Sequence, residues 1–543
     1  MKRERLSRET AWQRISSENW DMLVIGGGIT GAGVAREAAR RGLKTLLVEQ
    51  RDYAWGTSSR SSKMVHGGLR YIAQGDIRLT WHSLTERERL LEEAPGLVSR
   101  MGYWFAHYRH VFPGRFLFGI LLMLYDILAG VRDHRYFPRA EFLKRMPGYR
   151  DDKLKGASRY TDALVDDARL VQRVLDEAVA DGALVLNYVK ADALIMENDR
   201  VTGVRLHDES NGNAVAVKAS VVVNATGAWA DRLRAPLAGE KKVRPQRGSH
   251  IVLAPGRLPV TEAVIFMHAD DGRPLFIYPW EGRTVIGTTD IDHRDDLDIE
   301  ASITGQELEY MLRGVDSQFP DEKITRADII ATFSGVRPIV ASGGGVNPSA
   351  ERRDHSVWDN QGLITVTGGK LTTFRLIALD VLKAAAAYFP GINAKDTKAR
   401  VFRPVDIVQT VHPADDLLRL KGRLGFHVGQ FFAEARAGEL TAMPQLQTLW
   451  AELRWAARHE QVEHLDDLLL RRTRLGLLLA EGGQGMLPEI RRICQPELGW
   501  SDEHWLSECE RYRLIWQRHY GVPGLAADAG TVATEKEKQK ETA

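Results

Sequence analysis

A parallel α/β domain interleaved with an antiparallel sheet, then an α-helical C-terminal domain, is the architecture predicted by three features of this 543-residue sequence. An apolar run at 22–25 leads into a glycine-rich turn, a helical stretch and a second apolar run at 45–48, the pattern of buried parallel strands joined by a helix. Aromatic or β-branched runs such as Pro274-Leu-Phe-Ile-Tyr-Pro-Trp280 suit antiparallel strands. Beyond 391–404, apolar residues recur at three- and four-residue spacing, in Leu449, Leu453, Ala456 and Ala457 and again in Leu465, Leu468 and Leu469.

In chain order, residues 1–19 form a basic N-terminal extension. Lys2, Arg3, Arg5, Arg8 and Arg14 leave no continuous apolar core for a secretory signal, so the protein is expected in the cytoplasm, with this arm, including Trp12, and Trp20 reading as a solvated extension. Gly26, Gly28 and Gly31 then give G-x-G-x-x-G spacing between strand and helix. The first glycine permits the tight turn, the second lets backbone approach a pyrophosphate, and the third lets helix and strand pack closely, with the pyrophosphate over the helix N-terminus. Glu49, 18 residues after Gly31, ends the second strand, where a carboxylate hydrogen-bonds ribose hydroxyls and favours a ribose without a 2′-phosphate. Strand, glycines, helix and acid together specify a dinucleotide site. The residues bearing on FAD versus NAD follow, in Gly56-Thr-Ser-Ser-Arg-Ser-Ser-Lys-Met-Val-His-Gly-Gly-Leu-Arg-Tyr71. Such a hydroxyl- and glycine-rich stretch can wrap an extended diphosphate and present backbone N–H groups to a flavin ring.

The longest apolar run, 116–125, holds about ten residues, where a bilayer needs roughly twenty. Two readings stay open: a buried helix over the cofactor domain, or a monotopic patch in lipid with Arg109, Arg115, Arg132 and Arg135 meeting anionic headgroups. Residues 183–206 read as short strands about a turn at Asn198-Asp-Arg-Val, and Ser220-Val-Val-Val-Asn-Ala-Thr-Gly as a strand ending in a tight turn. Residues 284–289 make a further strand of the antiparallel sheet. Residues 526–543 are polar and charged and are expected to be disordered.

Composition excludes several classes. Two cysteines, Cys494 and Cys509, exclude a disulfide scaffold and any four-cysteine metal or iron–sulfur site. A net charge of +2, from 74 basic and 72 acidic residues, carries no nucleic-acid signature. No metal is expected.

The chain resembles the FAD-dependent, quinone-linked glycerol-3-phosphate dehydrogenases. Beyond the first motif, the resemblance rests on Asn224-Ala-Thr-Gly-Ala-Trp229, Gly248-Ser-His-Ile251, Ile286-Gly-Thr-Thr-Asp290, Ser334-Gly-Val-Arg-Pro338, Gly368-Gly-Lys-Leu-Thr-Thr373, Arg458-His-Glu and Leu465-Asp-Asp-Leu-Leu-Leu-Arg-Arg-Thr-Arg-Leu475, in family order over roughly 20–520. It implies a Rossmann-like, glutathione-reductase-type FAD-binding domain within 20–390. A substrate-binding part at roughly 90–165 and 240–335 is interleaved with it, and a helical domain spans 405–522. FAD is the implied cofactor, held by Gly26, Gly28, Ile29, Thr30, Gly31, Glu49, Thr57, Ser58, Ser62, Lys63, His66, Gly67, Gly68, Lys190, Ala191, Ala225, Thr226, Gly227, Gly369, Lys370, Leu371 and Thr372. The implied partners are sn-glycerol 3-phosphate, a quinone and the lipid surface at the cytoplasmic face of the membrane. A homodimer stands as the candidate assembly.

The chemistry of that substrate assigns further roles. A phosphate needs forked cations, and Arg70, Arg337 and Lys370, with Tyr71, lie in the motifs that resemble the family's active-site segments. Oxidising a secondary alcohol also requires a proton acceptor, for which His250 is the first choice because imidazole titrates near neutrality. Arg337, a poor acceptor, is the rival hydroxyl partner and suits a developing alkoxide. His66 reads either as a flavin contact or as a turn residue. Thr372 and Thr373 would offer N–H groups to the pyrimidine side of the flavin, while Asp166 and Asp167 read as structural. Three other functions are weighed: a glycerol-3-phosphate oxidase reducing oxygen, an amine or amino-acid oxidase on the same fold, and a flavin-bearing RNA-associated protein.

Overall fold

The computed structural model describes residues 6–73, 75–258, 260–341, 354–393, 398–405 and 412–524. The expected disorder of 526–543 lies outside them.

The first sheet is built on strand Trp20–Ile25, which pairs in parallel with Thr45–Val48 on one side and Ala214–Asn224 on the other. Leu184–Leu186 and Leu363–Gly368 extend it in parallel at either end, and His355–Asn360 adds an antiparallel edge. Met22, Leu23 and Val24 are fully buried because the sheet is covered on both faces. Met22 and Val24 face the helices Ile29–Ala39, Asp167–Ala180 and Phe374–Ala385. Leu23 and Ile25 face the meander of Val189–Glu197, Arg200–Asp208 and Ala214–Asn224. The turn expected at Asn198 is there, with Asn198 and Asp199 at positive φ.

That second face also corrects the reading of the N-terminal arm. Arg8–Ser17 is a helix whose Ala11 and Ile15, four residues apart, are buried in the meander core, and Arg8 forms an ion pair with Asp208 at 2.6 Å. From Arg8 on, the extension is docked rather than solvated.

The second sheet takes strands from 98–165 and 243–340. Val98–Tyr108 pairs antiparallel with Leu154–Val165 and parallel with Ala263–Met267. Pro274–Trp280, Arg283–Gly287, Val243–Leu253 and Ile329–Val340 follow as antiparallel neighbours. Met64–Val65, from the loop after the glycine motif, pairs with Leu154–Val165, so the two sheets are stitched together beside the cleft.

Helix Arg115–Ala129 settles the geometry of the apolar run. Phe118, Leu122 and Tyr125 are buried, while Phe116, Leu117, Ile120, Met123 and Ile127 face outward, Phe116 being 77% exposed. A wholly buried helix is thereby corrected to one with two apolar faces. Arg109, Arg115, Arg132 and Arg135 are all exposed around it. No helix among the described residues is long and apolar enough to cross a membrane.

The C-terminal region is helical, with Trp450–His459, Leu487–Leu498 and Asp502–His519 as its main pieces. Its core is continuous with Tyr278 and Phe333 of the second sheet. It is also tied to the first domain by buried ion pairs: Asp52 with Arg471 and Arg472, Asp167 with Arg474, and Arg169 with Glu460.

Candidate active site

The cleft opens at the C-terminal ends of the parallel strands, where the chain leaves Ile25, Val48 and Asn224, as expected for an open α/β sheet. It has two chambers, of about 380 and 390 Å³, whose walls share Ser61, Gly369, Lys370 and Leu371.

The first chamber fits the adenosine and diphosphate of FAD. A Cβ at Gly31 would lie 1.9 Å from the Gly26 carbonyl, so only glycine allows helix Ile29–Ala39 to start this close to the strand. Gly26 itself has φ of 114°, and a Cβ there would sit 2.6 Å from the Ala225 carbonyl. Gly28 caps the helix with no side chain of its own, so backbone and an anion can approach its N-terminal end closely. The loop folds back over this turn, and Ser58 Oγ accepts from the Ile29 N–H at 2.9 Å. Glu49 accepts from the N–H groups of Gly27 at 2.7 Å and Arg51 at 2.9 Å. Burial pushes its carboxyl upward against those two bonds. A half-buried carboxylate to accept from ribose hydroxyls, beside a helix N-terminus to face a diphosphate, is the set of groups this end of the cofactor requires.

Most predicted residues converge on this cleft. Thr30, Thr57, Lys190, Ala191, Ala225, Thr226 and Gly227 line the first chamber with Gly26, Gly28, Ile29, Glu49 and Ser58. Ser62, His66, Gly68, Tyr71, Arg337 and Thr372 line the second, and Gly369, Lys370 and Leu371 line both. Lys370 Nζ donates to Ser83 Oγ at 2.9 Å and lies 4.1 Å above the Tyr71 ring. Arg337 Nη2 donates to Thr288 Oγ1 at 3.0 Å and Nη1 to Asp290 Oδ1 at 3.2 Å. Arg70 lies in the short helix Leu69–Ala73, with its side chain outside what is described.

Four predicted residues stand off the cleft wall. Gly31 packs helix on strand, and the Gly67 N–H is taken by Tyr125 Oη at 2.9 Å. Lys63 is fully buried at φ of 58°, bonded to Asp167 at 2.9 Å and to the Ser59 carbonyl at 2.6 Å. Burial and the neighbouring Arg474 pull its ammonium down to about 7, against the pull of Asp167. Its side chain braces the loop and lies off both chamber walls. His250 is corrected as a direct contact as well: it is 1% exposed, stacked on Phe333 at 4.5 Å, with Nε2 2.9 Å from Ser62 Oγ. Only Ser62 of that pair lies on the chamber wall. Burial, then Arg337 and Lys63, hold the His250 imidazole well below its usual range, so it is neutral.

Asp166 caps helix Asp167–Ala180 and Asp167 binds Ser61, Lys63 and Arg474, so both are structural as expected. Thr373 is buried just ahead of helix Phe374–Ala385, while Thr372 Oγ1 accepts from the His66 N–H at 3.3 Å. The sequence reading passed over Trp55, Trp229 and Arg273. The two tryptophans, 5.9 Å apart, wall the first chamber, and Arg273 walls the second. Trp229 ends a motif already singled out; Arg273 carries no local signal beyond the Asp-Gly-Arg-Pro turn before a strand.

Comparison with known proteins agrees with this geometry. The family described as FAD dependent oxidoreductase matches residues 21–384, and the C-terminal domain of alpha-glycerophosphate oxidase matches 402–505. Glycerol-3-phosphate dehydrogenase 2 of Mycobacterium bovis is 35% identical over 91% of this chain and 87% of its own length. The aerobic glycerol-3-phosphate dehydrogenase of Staphylococcus haemolyticus is 32% identical over 86% of this chain and 89% of its own. The crystal structure of the glycerol-3-phosphate dehydrogenase of Bacillus halodurans, complexed with FAD, superposes with a TM-score of 0.75 at 26% identity, covering 95% of this chain and 98% of that one.

Proposed function

This chain belongs to the FAD-dependent glycerol-3-phosphate dehydrogenase and oxidase family, and from that premise we propose that it oxidises sn-glycerol 3-phosphate at C2 to dihydroxyacetone phosphate and passes the electrons to a membrane quinone. The observation that carries the substrate is the second chamber, where Arg337 and Lys370 meet the residues that would hold the flavin end of the cofactor.

FAD, when bound, supplies the two-electron oxidation. The chain's residues do the rest. Arg337 offers a guanidinium fork and Lys370 a point charge to the substrate anion. Ser62 Oγ, on the wall, receives the hydroxyl proton and relays it to His250 Nε2. A neutral imidazole carrying its own proton on Nδ1 is the acceptor this relay needs. Tyr103, Phe105 and Phe276 give the chamber an apolar wall opposite these polar groups.

Anaerobic mixing with sn-glycerol 3-phosphate should bleach the flavin within the turnover time. If the flavin stays oxidised while dithionite still reduces it, the substrate assignment falls. The quinone reading is supported by the outer face of helix Arg115–Ala129, whose exposed Phe116, Ile120 and Ile127 and surrounding arginines suit a monotopic contact with the cytoplasmic face of a membrane. Each large apolar side chain moved from water into lipid contributes about 1.5–3 kcal/mol. Ile120→Asp combined with Ile127→Asp is therefore expected to lower partition onto anionic vesicles at least about tenfold and to slow turnover with membrane quinone, leaving anaerobic bleaching unchanged. Equal partition of variant and wild type would remove this face from the membrane.

A further inference from the structure

Arg273 precedes strand Pro274–Trp280 and lines the substrate chamber beside Arg337 and Lys370. Its Nη2 lies 3.3 Å from Asp290 Oδ2, while Arg337 Nη1 donates to Asp290 Oδ1 at 3.2 Å. A single carboxylate thus holds two guanidiniums, one on each oxygen. Asp290 is the most deeply placed of the three, its side chain 7% exposed against 19% for Arg337 and 25% for Arg273. Arg273 lies just ahead of Pro274–Trp280, a strand separated from the Arg337 strand by two others of the same sheet, so the ladder places the two backbones while the side-chain ends meet only at the shared carboxylate.

The charge balance points to the ligand. Among the described residues the chamber wall carries three cations, Arg273, Arg337 and Lys370, and two acids, Asp290 and Asp162, of which Asp162 is bonded to Arg87 at 2.7 Å and to Tyr125 at 2.6 Å; Arg273 also has Asp271 4.0 Å away, off that wall. In a partly desolvated chamber such an excess of positive charge favours a doubly charged anion over a singly charged one. Two guanidinium forks arriving from different segments can also engage three tetrahedral oxygens at once, whereas a planar carboxylate offers two.

Resting on the reading that the substrate is a phosphomonoester, we infer that Arg273 is a second phosphate-binding residue, and that Asp290 is the positioning residue that sets its distance from Arg337. The pair selects a phosphate dianion against the carboxylates of amino-acid substrates. Arg273 touches the phosphate and not the reacting carbon, so it governs binding, not the rate of flavin reduction.

The test is an anaerobic stopped-flow titration of the holoenzyme with sn-glycerol 3-phosphate, with inorganic phosphate as competitor. Arg273→Met should raise the half-saturating substrate concentration about thirtyfold, weaken inhibition by phosphate by a similar factor, and leave the limiting bleaching rate within about threefold. Arg273→Lys should fall between, since it keeps the charge without the fork. Asp290→Asn should weaken both substrate and phosphate while flavin content and the oxidised spectrum stay as in the wild type. Unchanged half-saturation and phosphate inhibition in Arg273→Met would overturn the inference, as would a fall confined to the limiting rate. If that variant does not retain flavin, Arg273→Lys decides, and a shift below about twofold refutes the role. Failure of the parent reading looks different. The wild type would not bleach with sn-glycerol 3-phosphate, yet inorganic phosphate would still perturb its flavin spectrum and would fail to do so in Arg273→Met.

Discussion

Arg337→Ala should lower kcat/KM for sn-glycerol 3-phosphate by about a thousandfold while FAD stays bound. The guanidinium is held at the chamber wall by Thr288 Oγ1 and Asp290 Oδ1, and it crosses Gly248, where a Cβ would lie 2.3 Å from Nη2. The missing side chain at 248 is what lets the fork reach the chamber. Two charge-assisted hydrogen bonds to a phosphate or a developing alkoxide contribute roughly 1.5–3 kcal/mol each, and about 4 kcal/mol corresponds to a factor near 10³. Truncation should also disturb the proton relay, because Arg337 is, after burial, the largest cause of the low basicity of His250. With the arginine gone, the imidazole becomes more basic, and the acid limb of the flavin-reduction profile should move to higher pH. The cofactor should remain, since Arg337 lies on the second chamber while the adenosine and diphosphate residues line the first. Single-turnover bleaching across pH, with flavin content measured on the same sample, separates these effects. A kcat/KM within tenfold of the wild type would take Arg337 out of the site.

How far the site was legible in the sequence depended on whether backbone or side-chain direction decided the outcome. The glycine turn was legible because its geometry admits no alternative: with 1.9 Å between a Cβ at Gly31 and the Gly26 carbonyl, the residue type states the contact. Glu49 was legible for a related reason, as strand length and helix length fix where the second strand must end. His250 was not. It lies on Val243–Leu253, between strands Arg283–Gly287 and Ile329–Val340, and alternation along a strand says which residues share a face but not which face meets the cavity. It packs against Phe333 and Gly287, and Ser62 takes the wall in its place. Lys63 misled for the opposite reason: parts of its loop line both chambers as expected, but the backbone turn at φ of 58° aims this one side chain inward to Asp167. Arg273 needed the long-range meeting of 273, 290 and 337 at one carboxylate, which no local pattern encodes. The N-terminal helix was legible in principle, through Ala11 and Ile15 at helical spacing, and was hidden by the charge around them.

Asp52→Asn should produce the largest loss of stability of any single exchange on the domain interface. Asp52 is fully buried, with one oxygen 2.6 Å from Arg472 Nη2 and the other 2.7 Å from Arg472 Nη1, and with Arg471 Nε on the same carboxylate at 2.5 Å. Neutralising it leaves two buried guanidiniums with less charge than they were folded around, which costs about 3–5 kcal/mol and should lower the thermal midpoint by roughly 3–5 °C. The pH dependence identifies the cause. Burial alone would raise the Asp52 carboxyl, but Arg472 and Arg471 outweigh it and hold it below the usual range. A depressed folded pKa means that its stabilisation is present above the unfolded value, near pH 4, and is lost as pH falls through the folded one. The gap between variant and wild type should therefore be full at pH 7 and close only below about pH 4. Asp467 runs the other way. Burial first, then Asp52 and Asp466, push it up to about 6, so its contribution is present below about pH 4 and is lost as pH rises through 6. Removing the Asp52 charge removes one cause of that rise and should return the Asp467 titration toward ordinary acid values. Cofactor retention should fall with stability, because Asp52 directly follows the Glu49–Arg51 turn and the Ala54 N–H two residues on binds the Gly27 carbonyl at 3.0 Å. The ion cluster that anchors the C-terminal helices thus also holds the floor of the adenosine site. Flavin release and domain unfolding, followed together by fluorescence and circular dichroism, should coincide in both proteins, and a variant that unfolds at the wild-type temperature with the same pH profile would show that the helices are held by their apolar core alone.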